Sequence, residues 1–315
     1  MSFSTRWRSL CLFALLSLSP PAPLGGQGDR SRDVSKVLVL QGVASGPSRE
    51  LLDGFRRRFT ELGRKVDVVV VETDNAAAVA GQRNAGGALN LVLALGARAS
   101  ALAVSDFRNT PTVGAMLARE SALPDGSGAA AIVLEFPLDL ELEWVQRVLP
   151  HAHRIGVLYG SDDNARLVVR ARDIARTLGL ELVARRVNSP ADIPAALAAI
   201  AGSADVLWGI PDDVVLNAET AKAVLLSTLR SKIPLVGLSA QWVRAGAIFA
   251  LDRDYADLGA QTADVAARIL DGTSPRAVGT VRPRKILYSV NARSAELMRI
   301  TLGSELLRGA TEVVR

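Results

Sequence analysis

Residues 154–164 read RIGVLYGSDDN: an apolar run ending at Tyr159, a loop of small and acidic residues, and the start of a helical pattern. Almost the same plan opens at residues 36–48, KVLVLQGVASGPS, where the apolar run ends at Gln41 and a Gly/Ser/Pro loop follows. Outward from each opening the order repeats. The first copy continues through a helix ending in Leu62-Gly63, the strand VDVVVVE and a second helical pattern; the second continues through a helix ending in Leu178-Gly179, the strand LELVARRV and a helix opened by Asn188-Ser189-Pro190. Short β-rich runs alternating with helical periods predict an α/β fold of two similar, doubly wound, mostly parallel lobes. Two such lobes share one cleft, at the carboxyl ends of their strands.

A chain of 315 residues is long enough for two α/β lobes with separate cores. Its 49% hydrophobic and 4% aromatic content, rich in Ala, Leu and Val, suits helices packed on parallel strands. The net charge of +5 is scattered along helices without interleaved stacking aromatics, so no nucleic-acid partner is expected. The N-terminus carries Arg6 and Arg8, the apolar run LCLFALLSLS and then PPAPLGGQG, the order of a secretory signal peptide over residues 1–27, cleaved between Ala22 and Gly28. The only cysteine, Cys11, lies inside that run. The mature chain would then be free of thiols, periplasmic, and neither a cysteine enzyme nor a thiolate metal site.

In the first lobe LVLAL, TPTVGA and AAIVL extend the sheet, and Leu51, Leu52, Phe55, Phe59 and Leu62 mark the buried face of a helix from about Ser48 to Leu62. Its outer face, Arg56, Arg57, Arg58 and Arg64, reads as solvated. Near Phe136-Pro137 the chain leaves for the second lobe, whose helix LDLELEWVQRVLP ends at Pro150. His151 and His153, the only histidines, have no third ligand nearby and read as surface connection. ADVLWG, a helix of about Asn217 to Leu229, IPLVGL and GAIFAL complete that lobe. Returns at Asp252 and near Pro283 give three crossings. The expected lobes are residues 34–135 plus 252–281 and residues 138–250 plus 284–303, with 304–315 as a tail.

LVLALGARAS, TPTVGA, RIGVLYGSDDNA, LWGIPDD and the long stretch RAGAIFALDRDYADLGAQTADVAARILDGTSP resemble the ABC-transporter substrate-binding family of type I periplasmic binding protein fold, over residues 34–303. Its characterised relatives include tryptophan and tyrosine binders. The resemblance implies a non-catalytic, monomeric extracytoplasmic protein that closes on a small, amino acid-like ligand and docks on a membrane permease, with no cofactor or metal. The competing readings are an envelope sensor signalling to a membrane receptor and an enzyme. For the enzyme, neither a phosphate loop nor a nucleophile elbow is present.

By the same resemblance the ligand loops follow the strands. They carry Gln41 and Gly42; Gly96, Ala97 and Arg98; Ala115; Tyr159, Ser161, Asp162 and Asn164; Trp208, Pro211 and Asp212; and Ser239. A zwitterion needs amides for its carboxylate, which the helix starts after Gly96 or Asp162 can supply, and an acceptor for its ammonium, for which Asp212 is the choice. Several alternatives stay open. Asp212-Asp213 can instead mark a helix N-terminus, Asp162-Asp163 can cap a helix, and Trp208 can be a core aromatic rather than a stacking face. Arg98, where relatives carry a small residue, either favours a ligand with an extra anionic group or points outward.

Overall fold

The computed structural model describes residues 34–84, 89–217 and 219–315; the expected signal segment lies outside them. Strands β1 (Ser35–Gln41), β2 (Val66–Glu72), β3 (Leu91–Leu95), β4 (Thr112–Leu117), β5 (Ala130–Val133) and β11 (Thr280–Val281) form one sheet, in the order β11-β5-β4-β3-β1-β2. Strands β6 (Arg154–Tyr159), β7 (Glu181–Arg186), β8 (Val206–Trp208), β9 (Leu235–Gly237), β10 (Phe249–Arg253), β12 (Ile286–Asn291) and β13 (Glu312–Val314) form the second, in the order β13-β12-β10-β9-β8-β6-β7. Every pairing is parallel except β10 with β12. The central strands read as continuous apolar runs because helices cover both faces: Val37 and Val39 pack with Leu51, Phe55 and Phe59, while Leu38 and Leu40 pack with Ala99 and Ala103.

The helix Gly46–Glu61 starts at Ser45, whose hydroxyl accepts the Ser48 N–H, and stops at Gly63 in the left-handed region (φ 67°). Leu62, expected in its buried stripe, lies past the last turn and is exposed. Across this helix lies Tyr255–Leu270, which follows β10, and the two cross at glycines. A Cβ on Gly54 would stand 2.0 Å from the Ala256 carbonyl oxygen, and one on Gly259 would stand 2.0 Å from that of Leu51. Of the arginine run, Arg56 and Arg57 are exposed, whereas Arg58 bonds Asp264 (2.7 Å) and Arg64 pairs with Asp271 on the crossing helix.

Three other expectations shift. The helix placed at Asn217–Leu229 runs Ala221–Arg230, because the Asn217 side chain accepts the Glu219 and Thr220 N–H groups and folds the chain into a turn first. Strand β10 continues through Asp252 to Arg253, paired with Leu287 and Ile286, so the second lobe extends beyond residue 250. Residues 304–315 are not a tail: Ser304–Gly309 is helical, Leu306 is buried, and β13 pairs with β12 through Ser289, Val290 and Asn291.

The chain passes between the sheets after β5, after β10 and after β11. Arginines lash the passages together. Arg253 Nε donates to the Leu134 carbonyl (2.7 Å), with its guanidinium 4.4 Å from the Phe136 ring centroid, and Arg282 bonds Glu135 (3.1 Å). The second and third passages are tied by Lys285 to Asp254 and by Arg284 to Asp257.

Candidate functional site

Parallel pairing brings the strand ends of the first sheet to one edge, where Gln41, Gly96 and Ala115 stand on or just after the neighbouring strands β1, β3 and β4. Gly96 adopts φ 91°, which lets its N–H donate to Ala115 O (2.8 Å) and leaves Ala97 to open the helix Ala97–Asp106. Ala115 is fully buried and offers no side chain to the cleft. Gln41 is buried, and its Oε1 has no hydrogen-bond partner among the described residues; Gly42 beside it is exposed. Arg98 points outward: its side chain is 78% exposed and pairs with Asp74 at 2.7 Å. An ion pair so wet contributes little.

In the second lobe the expected residues converge on Asp212 rather than on an open site. Its Oδ2 accepts the N–H groups of Gly160 (2.9 Å) and Ser161 (3.3 Å) and the Asn164 amide (2.8 Å), and Oδ1 accepts the N–H groups of Val214 (2.9 Å) and Val215 (3.0 Å). Burial pushes this carboxyl up, but those donors outweigh it and hold the acid below the usual carboxylate range. An ionised carboxylate has about four lone-pair sites, so Asp212 has no vacancy for an ammonium. Its role here is to clamp the loops after β6 and β8, with Asn164 also donating to the Pro211 carbonyl (2.9 Å). Ser161 caps the helix Asp162–Thr177, Asp162 pairs outward with Arg186 (2.7 Å), and Ser239 precedes a short helix outside this network. Tyr159 is half-buried at the strand end. From the first lobe Arg119 reaches Asn164 Oδ1 at 3.3 Å.

Trp208 is a core aromatic, 2% exposed, and its ring is no open platform. Its Nε1–H donates to Glu141 Oε2 at 2.9 Å. Glu141 lines a cavity of about 470 Å³ at the boundary of the lobes, between the first passage (Phe136, Pro137), the helix Leu138–Val148 and the helix Asp162–Thr177. Arg119, Arg170, Arg253 and Arg282 give this cavity a cationic rim, while Leu138, Leu167, Ile174 and Ile210 supply apolar wall. Burial pushes the Glu141 carboxyl up to about 7; the Trp208 N–H and Arg253 pull it down, and Glu135 adds to the rise. Neither Glu141 nor Arg253 was among the residues expected from sequence. A signal for Glu141 existed: it lies on the stripe with Leu138, Leu142 and Val145, a charge on the buried face of an amphipathic helix.

A family model described as ABC transporter substrate binding protein matches residues 65–314. The chain belongs to this family. Over 139 residues it is 26% identical to a tyrosine-binding protein of Clostridioides difficile (strain R20291), a match that spans 44% of this chain and 40% of the relative. Among solved structures it is similar to a ligand-free, open substrate binding protein with adhesive properties from Clostridium difficile (TM-score 0.74, 19% identity, covering 89% of this chain and 99% of that one). It is also similar to an ABC domain in complex with L-Trp from Streptococcus pneumonia (TM-score 0.60, 21% identity, 90% and 100%). A conserved domain protein from Vibrio cholerae matches as well (TM-score 0.60, 23% identity, 89% and 100%). The fold of this family member is that of the type I periplasmic binding proteins. Among the described residues no helix is long and apolar enough to cross a membrane.

Proposed function

We propose that this protein is the extracytoplasmic solute-binding component of an uptake transporter, taking a small, amphipathic, amino acid-like ligand between its lobes and presenting it to a membrane permease as a monomer. The observation that carries the reading is the cavity at the lobe boundary. Both lobes and all three passages line it, through Arg119, Phe136, Trp208, Arg253 and Arg282, so a ligand there would touch every part that moves in closure. Charge on its rim and apolar side chains on its wall suit a polar head and a hydrocarbon or ring. Because relatives bind tyrosine or L-Trp, aromatic amino acids are the first candidates to test.

A thermal-shift screen of the purified protein against amino acids, nucleosides, vitamins and small carboxylates tests this. Ligand at a hundred times its dissociation constant should add about 2.7 kcal/mol of stability. Absence of a shift with every compound would contradict the reading.

A further inference from the structure

The charges facing Glu141 come from every element around its cavity: Arg253 at the end of β10, Glu135 on the first passage, Arg282 on the third, Arg119 after β4 and Arg170 on the helix Asp162–Thr177. Glu135 is engaged by Arg282, and Arg253 by the Leu134 carbonyl and the Phe136 ring. Glu141 is engaged on one side only. Oε2 receives the Trp208 N–H, and Oε1 has no hydrogen-bond partner among the described residues although the side chain lines the cavity. Glu141 is half-buried and lines the open cavity, so an entering cation or donor can meet Oε1, and low-dielectric walls strengthen that attraction relative to water. Asp212, the other acid at the cleft, is saturated by five donors of its own chain.

We infer that Glu141 is the specificity-determining residue for the ligand's positive charge, receiving a primary ammonium on Oε1 while the arginine rim receives the carboxylate, so that the cavity selects an amine-bearing zwitterion over the plain acid of the same shape. This rests on the ligand site proposed above and names the group that reads the ligand's amine. It also couples binding to protons. The empty carboxyl, pushed up by burial to about 7, is partly protonated at neutral pH, and an arriving ammonium requires the ionised form. Binding of an amine therefore releases protons, and affinity falls as pH drops below 7, by about tenfold per unit.

The test is isothermal titration calorimetry at pH 7 in two buffers of different ionisation enthalpy. L-tyrosine, L-tryptophan, L-phenylalanine and L-leucine are each compared with the matching acid that lacks the amine. Release of about half a proton per amino acid bound, with the des-amino acid bound about ten- to a hundredfold more weakly, is the expected result. In Glu141→Gln, which keeps an acceptor for Trp208, both the release and the discrimination should disappear. An amino acid that binds without releasing protons, or a des-amino acid that binds as tightly, overturns the assignment of Glu141 while leaving the binding function intact. Failure of all eight compounds to bind, together with no shift in the wider screen, overturns both, whereas binding of a ligand without an amine overturns only the assignment of Glu141. The wild-type titrations decide the matter even where the variant folds poorly.

Discussion

Both oxygens of Asp212 are taken by its own chain, so removing them strands the Val214 and Val215 amides, which lie in a turn whose neighbours Val215 and Leu216 are buried. Asp212→Ala should cost roughly 2–4 kcal/mol of stability in urea unfolding; a change within about 0.5 kcal/mol would mark it as an ordinary surface residue. Because the folded state holds this acid below its ordinary range, its contribution is present above the unfolded-state value and lost as pH falls through the folded one. The wild type should therefore lose stability below about pH 4 more steeply than Asp212→Asn. The type and position of Asp212 were readable from LWGIPDD, but its full occupancy was not, since the three donors on Oδ2 come from Gly160, Ser161 and Asn164, some 50 residues earlier. Glu141 showed only as a charge on the apolar stripe, and its partner was hidden for the same reason. A single Glu in LDLELEW reads as one of several solvated acids until Trp208, 67 residues away, is seen to donate to it.

At the scale of elements, the contact between Gly46–Glu61 and Tyr255–Leu270 depends on two missing side chains. Gly54→Ala would set a methyl inside the Ala256 carbonyl, and relieving it requires the helices to separate along a seam that also holds Phe55, Leu258 and Arg58–Asp264. Overpacking of this kind should cost about 1–3 kcal/mol or more. Urea unfolding of Gly54→Ala and Gly259→Ala checks it, and stability equal to wild type would show that the helices sit further apart. Most strands, most helix starts and the stops at Gly63 and Gly179 were legible because they follow from local apolar period and capping chemistry. The pairing of β12 with β13 was not. EVV is a three-residue strand held by its partner, by the Arg244–Glu312 pair and by Val313 against the core, all distant in sequence, and nothing local distinguishes it from a frayed end.

At the scale of the whole molecule, duplication of the strand–loop–helix unit foretold two mostly parallel sheets, and the structure has them. It did not foretell the cavity at the lobe boundary. The expected residues lie along the strand edges, as any doubly wound sheet would place them; of these Trp208 and Pro211 line the cavity, which is otherwise formed by the passages, by Ala118 and Arg119 of the first lobe and by two helix faces from the second. That surface exists only once β5, β10 and β11 have handed the chain across, and Arg253 and Arg282 have tied the three passages to one another. Closure about those passages would bring Arg119 and the arginines of the passages around whatever occupies the space beside Glu141.

The most direct measurement is a crystal structure of the protein with the amino acid that gives the largest thermal shift. Ligand density is expected in the cavity beside Trp208, with an amine within hydrogen-bond distance of Glu141 Oε1, a carboxylate on the arginine rim and both lobes in contact. Density at the Asp212 loops or elsewhere on the surface, with the Glu141 cavity holding only water, would contradict it.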